Sequence, residues 1–191
     1  CGDDDTSEYD GYKTVTDDVV RDTHAVNIVW DGTTVQLTGD VDSVSYTQTG
    51  GDVVITSNID RFLELTLSGS TSDGSLLVYS LKKYGIILNG VSITNPDGAA
   101  INNQCGKSLF LTLADGTVNT LTDGENYAER TFDQKGTLFS EGQIYFGGTG
   151  SLTINGYGKN GIACDDYIVM NGGTIKIDVE DTGSNGIKVN D

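Results

Sequence analysis

Gly51-Asp-Val-Val54, Gly74-Ser-Leu-Leu77, Gly98-Ala-Ala-Ile101, Gly136-Thr-Leu-Phe139, Gly161-Ile-Ala-Cys164 and Gly186-Ile-Lys-Val189 are versions of one phrase. In each, a glycine is followed three residues later by an apolar or sulfur side chain. The glycines stand 23, 24, 38, 25 and 25 residues apart. The long step becomes an ordinary one if residues 122–134 are an inserted loop. A steady period near 24, carried by strand-forming residues and Gly/Asn turns, is the mark of a β solenoid, in which equivalent positions stack into columns.

Working outward from the phrase, each repeat holds two further runs of strand type. One series is Gly85-Ile-Ile-Leu-Asn89, Leu109-Phe-Leu-Thr-Leu113, Gln143-Ile-Tyr-Phe146 and Tyr167-Ile-Val-Met170. The other is Val91-Ser-Ile93, Thr117-Val-Asn-Thr-Leu121, Ser151-Leu-Thr-Ile154 and Thr174-Ile-Lys-Ile177. Asn-Gly pairs such as Asn89-Gly90 and Asn155-Gly156 are read as corners requiring positive φ. The expected fold is all-β: a right-handed parallel β-helix of the pectate-lyase type, three strands and 24–25 residues per coil. Alternation sends the phrase's third residue inward, with Val91, Ile93, Leu152, Ile154, Ile175 and Ile177. Asn119, Tyr145 and the bland stripe Leu76, Ala100, Leu138 and Ala163 are then expected outside, the stripe either covered by the insertion or left as a flat platform. Residues 1–22 read as a tether, and residues 23–191 as the domain, opening with a strand–turn–strand unit that closes one end. A phrase beginning at Gly186 leaves the expectation that further coils follow.

Composition narrows the function. The chain has 28 acidic and 11 basic side chains in 191 residues, a formal charge of −17. Nucleic acid and anionic membrane surfaces would be repelled, whereas a divalent cation would be attracted. The single histidine, His24, precedes the repeats, which argues against histidine-dependent catalysis and His/Cys zinc sites. Cys105 and Cys164 fall two coils apart, beyond disulfide reach, and Cys164 reads as a small core residue. The leading Cys1, followed by Gly2 and three aspartates, looks like a processed, lipidated bacterial lipoprotein, which implies removal of a signal peptide and a lipid anchor at the cell surface.

One column carries chemistry. The fourth and fifth places after the phrase glycine read Asn102-Asn103, Ser140-Glu141, Asp165-Asp166 and Asn190-Asp191. Stacking brings these oxygens within about 5 Å of their neighbours. Like charges so close are costly unless protonated or bridged by a cation, and calcium accepts six to eight such oxygens. The candidate metal ligands are therefore Glu141, Asp165 and Asp166, completed by Asn190 and Asp191. The other reading is that Asn and Asp merely favour turns and splay into solvent. Weaker candidates for sugar contact are Lys159, Lys188, Arg130, Tyr127 and Tyr145.

The ordered motifs Asn119-Thr-Leu-Thr-Asp-Gly124, Lys135-Gly-Thr-Leu-Phe-Ser-Glu141, Gly148-Thr-Gly-Ser-Leu-Thr-Ile-Asn-Gly156, Asn160-Gly-Ile-Ala-Cys-Asp-Asp166 and Gly172-Gly-Thr-Ile-Lys-Ile177 resemble the β-helix carbohydrate-binding domain proteins of bacterial surface lipoproteins. The resemblance runs from Trp30 onward. It implies a calcium-associated binder of acidic polysaccharides such as polygalacturonate, acting as a monomer on the outer surface. The family's Ser/Cys-Asp-Asp corner falls on Cys164-Asp165-Asp166 and the preceding corner on Ser140-Glu141. Glu141-Gly142 stands where the family often has Asp-Asp, and Asn160 and Asn185 where Asp is frequent, which lowers ligand charge. Two alternatives stay open. One is a polysaccharide lyase, with calcium acidifying the proton beside a uronate carboxylate and Lys159, Lys188 or Arg130 as base. The other is an adhesin or stalk that calcium only stiffens.

Overall fold

Short apolar alternations broken by glycine and asparagine produce seventeen strands in the computed structural model, which describes residues 23–180 and 183–190. The expected tether over residues 1–22, the lipidation site Cys1 and the candidate ligand Asp191 lie outside the described residues. The strands are β1 (His24–Asp31), β2 (Thr34–Gly39), β3 (Ser45–Thr49), β4 (Gly51–Ser57), β5 (Leu63–Thr71), β6 (Gly74–Ser80), β7 (Tyr84–Thr94), β8 (Ile101–Asn103) and β9 (Leu109–Leu113). They continue as β10 (Val118–Thr122), β11 (Gly136–Ser140), β12 (Ile144–Gly148), β13 (Ser151–Gly156), β14 (Asn160–Cys164), β15 (Ile168–Met170), β16 (Thr174–Val179) and β17 (Ile187–Val189). A 3₁₀ turn, Val41–Ser43, joins β2 to β3. No helix among the described residues is long and apolar enough to cross a membrane.

The all-β class holds, but the closed three-strand parallel β-helix does not form. The strands make two mixed sheets. One has ten strands, with the path β15-β12-β9-β7-β10-β13-β16 and with β1, β2 and β5 attached. The other has seven, ordered β17-β14-β11-β8-β6-β4-β3. Most pairs are parallel, but β1 runs antiparallel to β2, and β3 to β4. The physical reason lies at the presumed corners. Asn89-Gly90 does not end a strand: Gly90 takes φ 79° inside the eleven-residue β7, which pairs with β9 through one half and β10 through the other. Two runs read as separate faces are thus carried by one continuous strand.

Bending β7 exposes the N–H groups of Gly90 and Val91, and Asn119 resolves this. Its Oδ1 accepts both, at 2.8 and 2.9 Å, while its Nδ2 donates to Ser151 O at 3.0 Å. Asn119 is therefore fully buried, not outward as expected, because a buried backbone donor without a partner is costly.

Register supplies a second correction. Val53 faces Leu76, Leu76 faces Ile101, Ile101 faces Leu138, and Leu138 faces Ile162. These residues lie in the core, so Leu76 and Leu138 point in, not out. Val54 and Leu77, at the third place, lie half-buried on the other face. The phrase changes phase: Gly136 pairs with Asn160 instead of Gly161. A one-residue slip turns every side chain of a strand to the opposite face. Phe139 and Ala163 consequently look outward, yet both are fully buried. The segment between β10 and β11 covers Phe139: Asn102 Nδ2 donates to Asp133 O at 2.9 Å, and the Lys135 ammonium sits 5.6 Å from the Phe139 ring centre. Neither reading of the stripe describes the molecule, because Leu76, Ala100 and Leu138 belong to the core and only Ala163 is buried outside it.

Tyr145 is also buried. Its ring stacks on Phe110 at 5.2 Å, and its hydroxyl meets that of Tyr167 at 2.7 Å. This removes it from the sugar-contacting candidates. Cys105 and Cys164 are both buried and unbridged.

The register makes opposite demands on neighbouring leucines. Leu138→Ala should destabilise by about 2–5 kcal/mol in urea unfolding, since it opens a core cavity. Leu77→Ala, on the half-buried outer face, should cost well under half of that. Equal effects would contradict the observed register.

Candidate functional site

Asn103, Ser140 and Cys164 form an interior polar row at the ends of β8, β11 and β14, set side by side by the register Asn103–Ser140 and Ser140–Cys164. Asn103 Nδ2 donates to Ser140 Oγ at 2.8 Å, and Ser140 Oγ donates to Gly142 O at 2.6 Å. The Cys164 thiol reaches the same Gly142 carbonyl at 3.2 Å. Short side chains thus tie each strand end to the turn beyond it. Asn103 and Ser140 serve this turn and are not ligands of the outer corner. Burial pushes the Cys164 thiol up to about 11, which leaves it unreactive.

The next residue of each strand leaves the core together with its neighbours. Glu141 N donates to Asn103 O, Asp165 N to Ser140 O, and Asn190 N to Cys164 O, each at 2.9 Å. Glu141 therefore stands beside Asp165, not beside Asp166 as equal spacing from the glycines suggested. A third carboxylate, Asp133, arrives from the insertion. One oxygen from each of Asp133, Glu141 and Asp165 lies within 4.8 Å of the others. Asp166 does not belong to this trio, and Asn190 follows Asp165 along the corner as an exposed residue.

A basic residue partly relieves the crowding. The Lys135 ammonium holds both oxygens of Asp165 at 2.8 Å. The Asp165 hydrogen bond raises the Lys135 pKa. Glu141 receives less help: burial first, then the charge of Asp165, raise its carboxyl above the usual range. Three carboxylates offer up to six oxygens, which suits a hard cation such as calcium in donor type and number. Lys135 occupies two of those oxygens and would have to yield them.

Asp123, quoted in the sequence only within the motif Asn119–Gly124 and the insertion, anchors that segment. It is buried, and it accepts the Tyr127 hydroxyl at 2.7 Å and the Tyr157 N–H at 2.6 Å, with longer contacts from the N–H groups of Gly158 and Lys159. Asp123-Gly124 looks like an ordinary turn dipeptide, so only the distant donors reveal its role. Tyr127, with its acidity suppressed by burial and by Asp123, has its ring under the Lys159 ammonium at 4.8 Å. Arg130 is exposed near Phe132 and Asp97 on the far side of the insertion, and Lys188 is exposed on β17. The basic group against Glu141 and Asp165 is Lys135, which sequence reasoning passed over.

Two outcomes follow from this geometry. Asp123→Ala removes the shared acceptor of several part-buried donors and should cost about 1–3 kcal/mol, with faster tryptic cleavage at Arg130 as the insertion loosens. Glu141 has its folded pKa raised, so its proton stabilises the fold at low pH and that stability is lost as pH rises through the folded value. Glu141→Gln should then raise the melting temperature at pH 7 in chelator. The gain should vanish below the ordinary glutamate pKa of about 4.3.

Known proteins share this architecture. A structure described as the polysaccharide lyase-like protein from C. thermocellum, gadolinium derivative, superposes with a TM-score of 0.67 at 28% identity, covering 86% of this chain and 79% of that one. A carbohydrate-binding domain-containing protein of Acetivibrio thermocellus is 36% identical over 117 residues. That match takes in 59% of this chain but 41% of the relative, so this chain accounts for less than half of the relative's length. The model of the family described as carbohydrate-binding domain-containing protein matches residues 49–191, from the end of β3 through the carboxylate corner, and the chain belongs to that family.

Proposed function

We propose that this chain binds an acidic polysaccharide through calcium held by Asp133, Glu141 and Asp165. The observation that carries the reading is the convergence of three carboxylates at one corner, with Glu141 driven toward its protonated form. Such a corner gains stability from a hard cation. Membership of a carbohydrate-binding family supplies the ligand class. The net charge of −17 supplies the need for a bridge, because a uronate polymer is otherwise repelled. Cation binding here displaces Lys135 from Asp165, so ammonium and calcium compete for the same oxygens.

The lyase-like description of the structural neighbour keeps a second reading in view. It asks for a neutral base beside the corner. Lys135 is the basic group present, and Asp165 holds it protonated, which disfavours that role.

Retardation in polygalacturonate gels tests the proposal. Wild type should be retarded with calcium and run freely with chelator. The double variant E141Q/D165N should lose both this retardation and the calcium shift in melting temperature. Lys135→Met should tighten calcium several-fold, as it removes the competing ammonium. Equal mobility with and without chelator would overturn the reading, and unsaturated product absorbing in the ultraviolet would establish lyase action instead.

A further inference from the structure

The carboxylate corner is one stretch of a longer column. Thr56 pairs with Tyr79, Gln104 N donates to Val78 O, Glu141 comes next, directly after β11, and then Asp165, directly after β14. Parallel strands lie about 4.8 Å apart, so the Tyr79 position is roughly 10 Å from that of Glu141. At the Tyr79 end the column opens into a cleft of about 580 Å³. Its walls include Asp42, Thr56, Asn58, Tyr79, Leu81 and Gln104.

The chemistry of this cleft differs from that of the corner. Tyr79 is 38% exposed and Leu81 70%, and the two stand together in one cleft lining. Asp42 is the one charged residue in the lining. Gln104 spends its N–H groups on Asn102 Oδ1 at 2.6 Å and Asp133 O at 3.0 Å, which leaves its carbonyl oxygen to accept from a ligand. An aromatic face and an aliphatic side chain, rimmed by hydroxyl and amide groups, complement a pyranose ring. Such a ring is apolar on its C–H face and hydroxylated at its edge. The volume lies in the range of small-molecule sites, about 300–1,000 Å³, and the Gln104–Asp133 bond makes one wall common to cleft and corner.

We infer that the Tyr79–Leu81 cleft is a sugar subsite, in which a pyranose ring of the polysaccharide stacks on Tyr79 while its hydroxyls meet Asn58, Thr56 and Gln104. The inference shares with the proposed function the premise that the ligand is a polysaccharide, and it needs no cation. The polymer then runs along the column, held by ring stacking at one end and by charge at the other.

Amide NMR titration of the full chain in chelator, with cellohexaose, xylohexaose, mannohexaose and hexagalacturonate as separate probes, tests it. At least one probe should shift the amides of Asn58, Tyr79, Ser80 and Leu81. Tyr79→Ala should weaken that probe at least tenfold. Leu81→Ser, at a mostly exposed position, should weaken it several-fold without lowering the melting temperature. E141Q/D165N should leave it unchanged. The inference is overturned if no probe moves these amides, or if both cleft variants bind as wild type. Shifts confined to the corner and seen only with calcium would overturn the cleft while sustaining the calcium reading. Cleft shifts in chelator, with calcium without effect, would do the reverse.

Discussion

In-register parallel pairing at the ends of β8, β11 and β14 is the constraint on which the rest of this molecule depends. Hydrogen bonds from Glu141 N to Asn103 O and from Asp165 N to Ser140 O leave no freedom to stagger these residues. Parallel strands repeat at about 4.8 Å, so side chains emerging at equivalent positions become neighbours regardless of their charge. Two carboxylates are thereby held beside each other more tightly than their repulsion would permit in a flexible loop. The interior row of Asn103, Ser140 and Cys164 makes this possible, because each side chain bonds a polar group that the turn would otherwise leave unpaired.

The insertion between β10 and β11 converts that constraint into a site. Anchored at one end by buried Asp123 and at the other by Gln134 on the Ala99 N–H, it returns across the outer face in an extended run. Phe132 and Gln134 line a small cleft on one side, while Asp133 and Lys135 reach the corner on the other. The same few residues bring a third carboxylate, Asp133, and the ammonium that pairs with Asp165. An ammonium and a metal ion are alternative answers to one electrostatic problem. The ammonium costs less desolvation, and the metal ion gathers more oxygens.

Under the proposed function, a member of a carbohydrate-binding family with charge −17 must reconcile attraction to a sugar polymer with repulsion of an acidic one. The column from Thr56 to Asn190 divides the task. Near Tyr79 the surface is nearly uncharged and partly apolar, suited to ring stacking. Near Glu141 it is strongly anionic, suited to a bridging cation. The two proposed contacts, one cation-free and one cation-dependent, would thus share one polymer without opposing each other.

Periodicity located nearly every strand, since alternation and glycine breaks are local properties of the chain. Runs such as Leu109–Leu113 and Ser151–Ile154 lie within β9 and β13. The same local signal misjudged Asn89-Gly90, where a positive-φ glycine bends β7 without ending it and so joins two expected faces into one sheet. It also misjudged Leu138, because a glycine phrase carries no information on which neighbour it will pair with. Glu141 and Asp165 were visible as members of one corner, because both follow strand ends by a fixed count. Asp133, Lys135 and Asp123 were not, since each has a partner some thirty residues away (Asp165 for the first two, Tyr157 for the third) and nothing local distinguishes them from ordinary loop charges. Composition and period thus settle that the chain is an acidic, repetitive β protein. Backbone hydrogen bonding between distant repeats alone decides which side chains face the core, which carboxylates touch, and which cation stands among them.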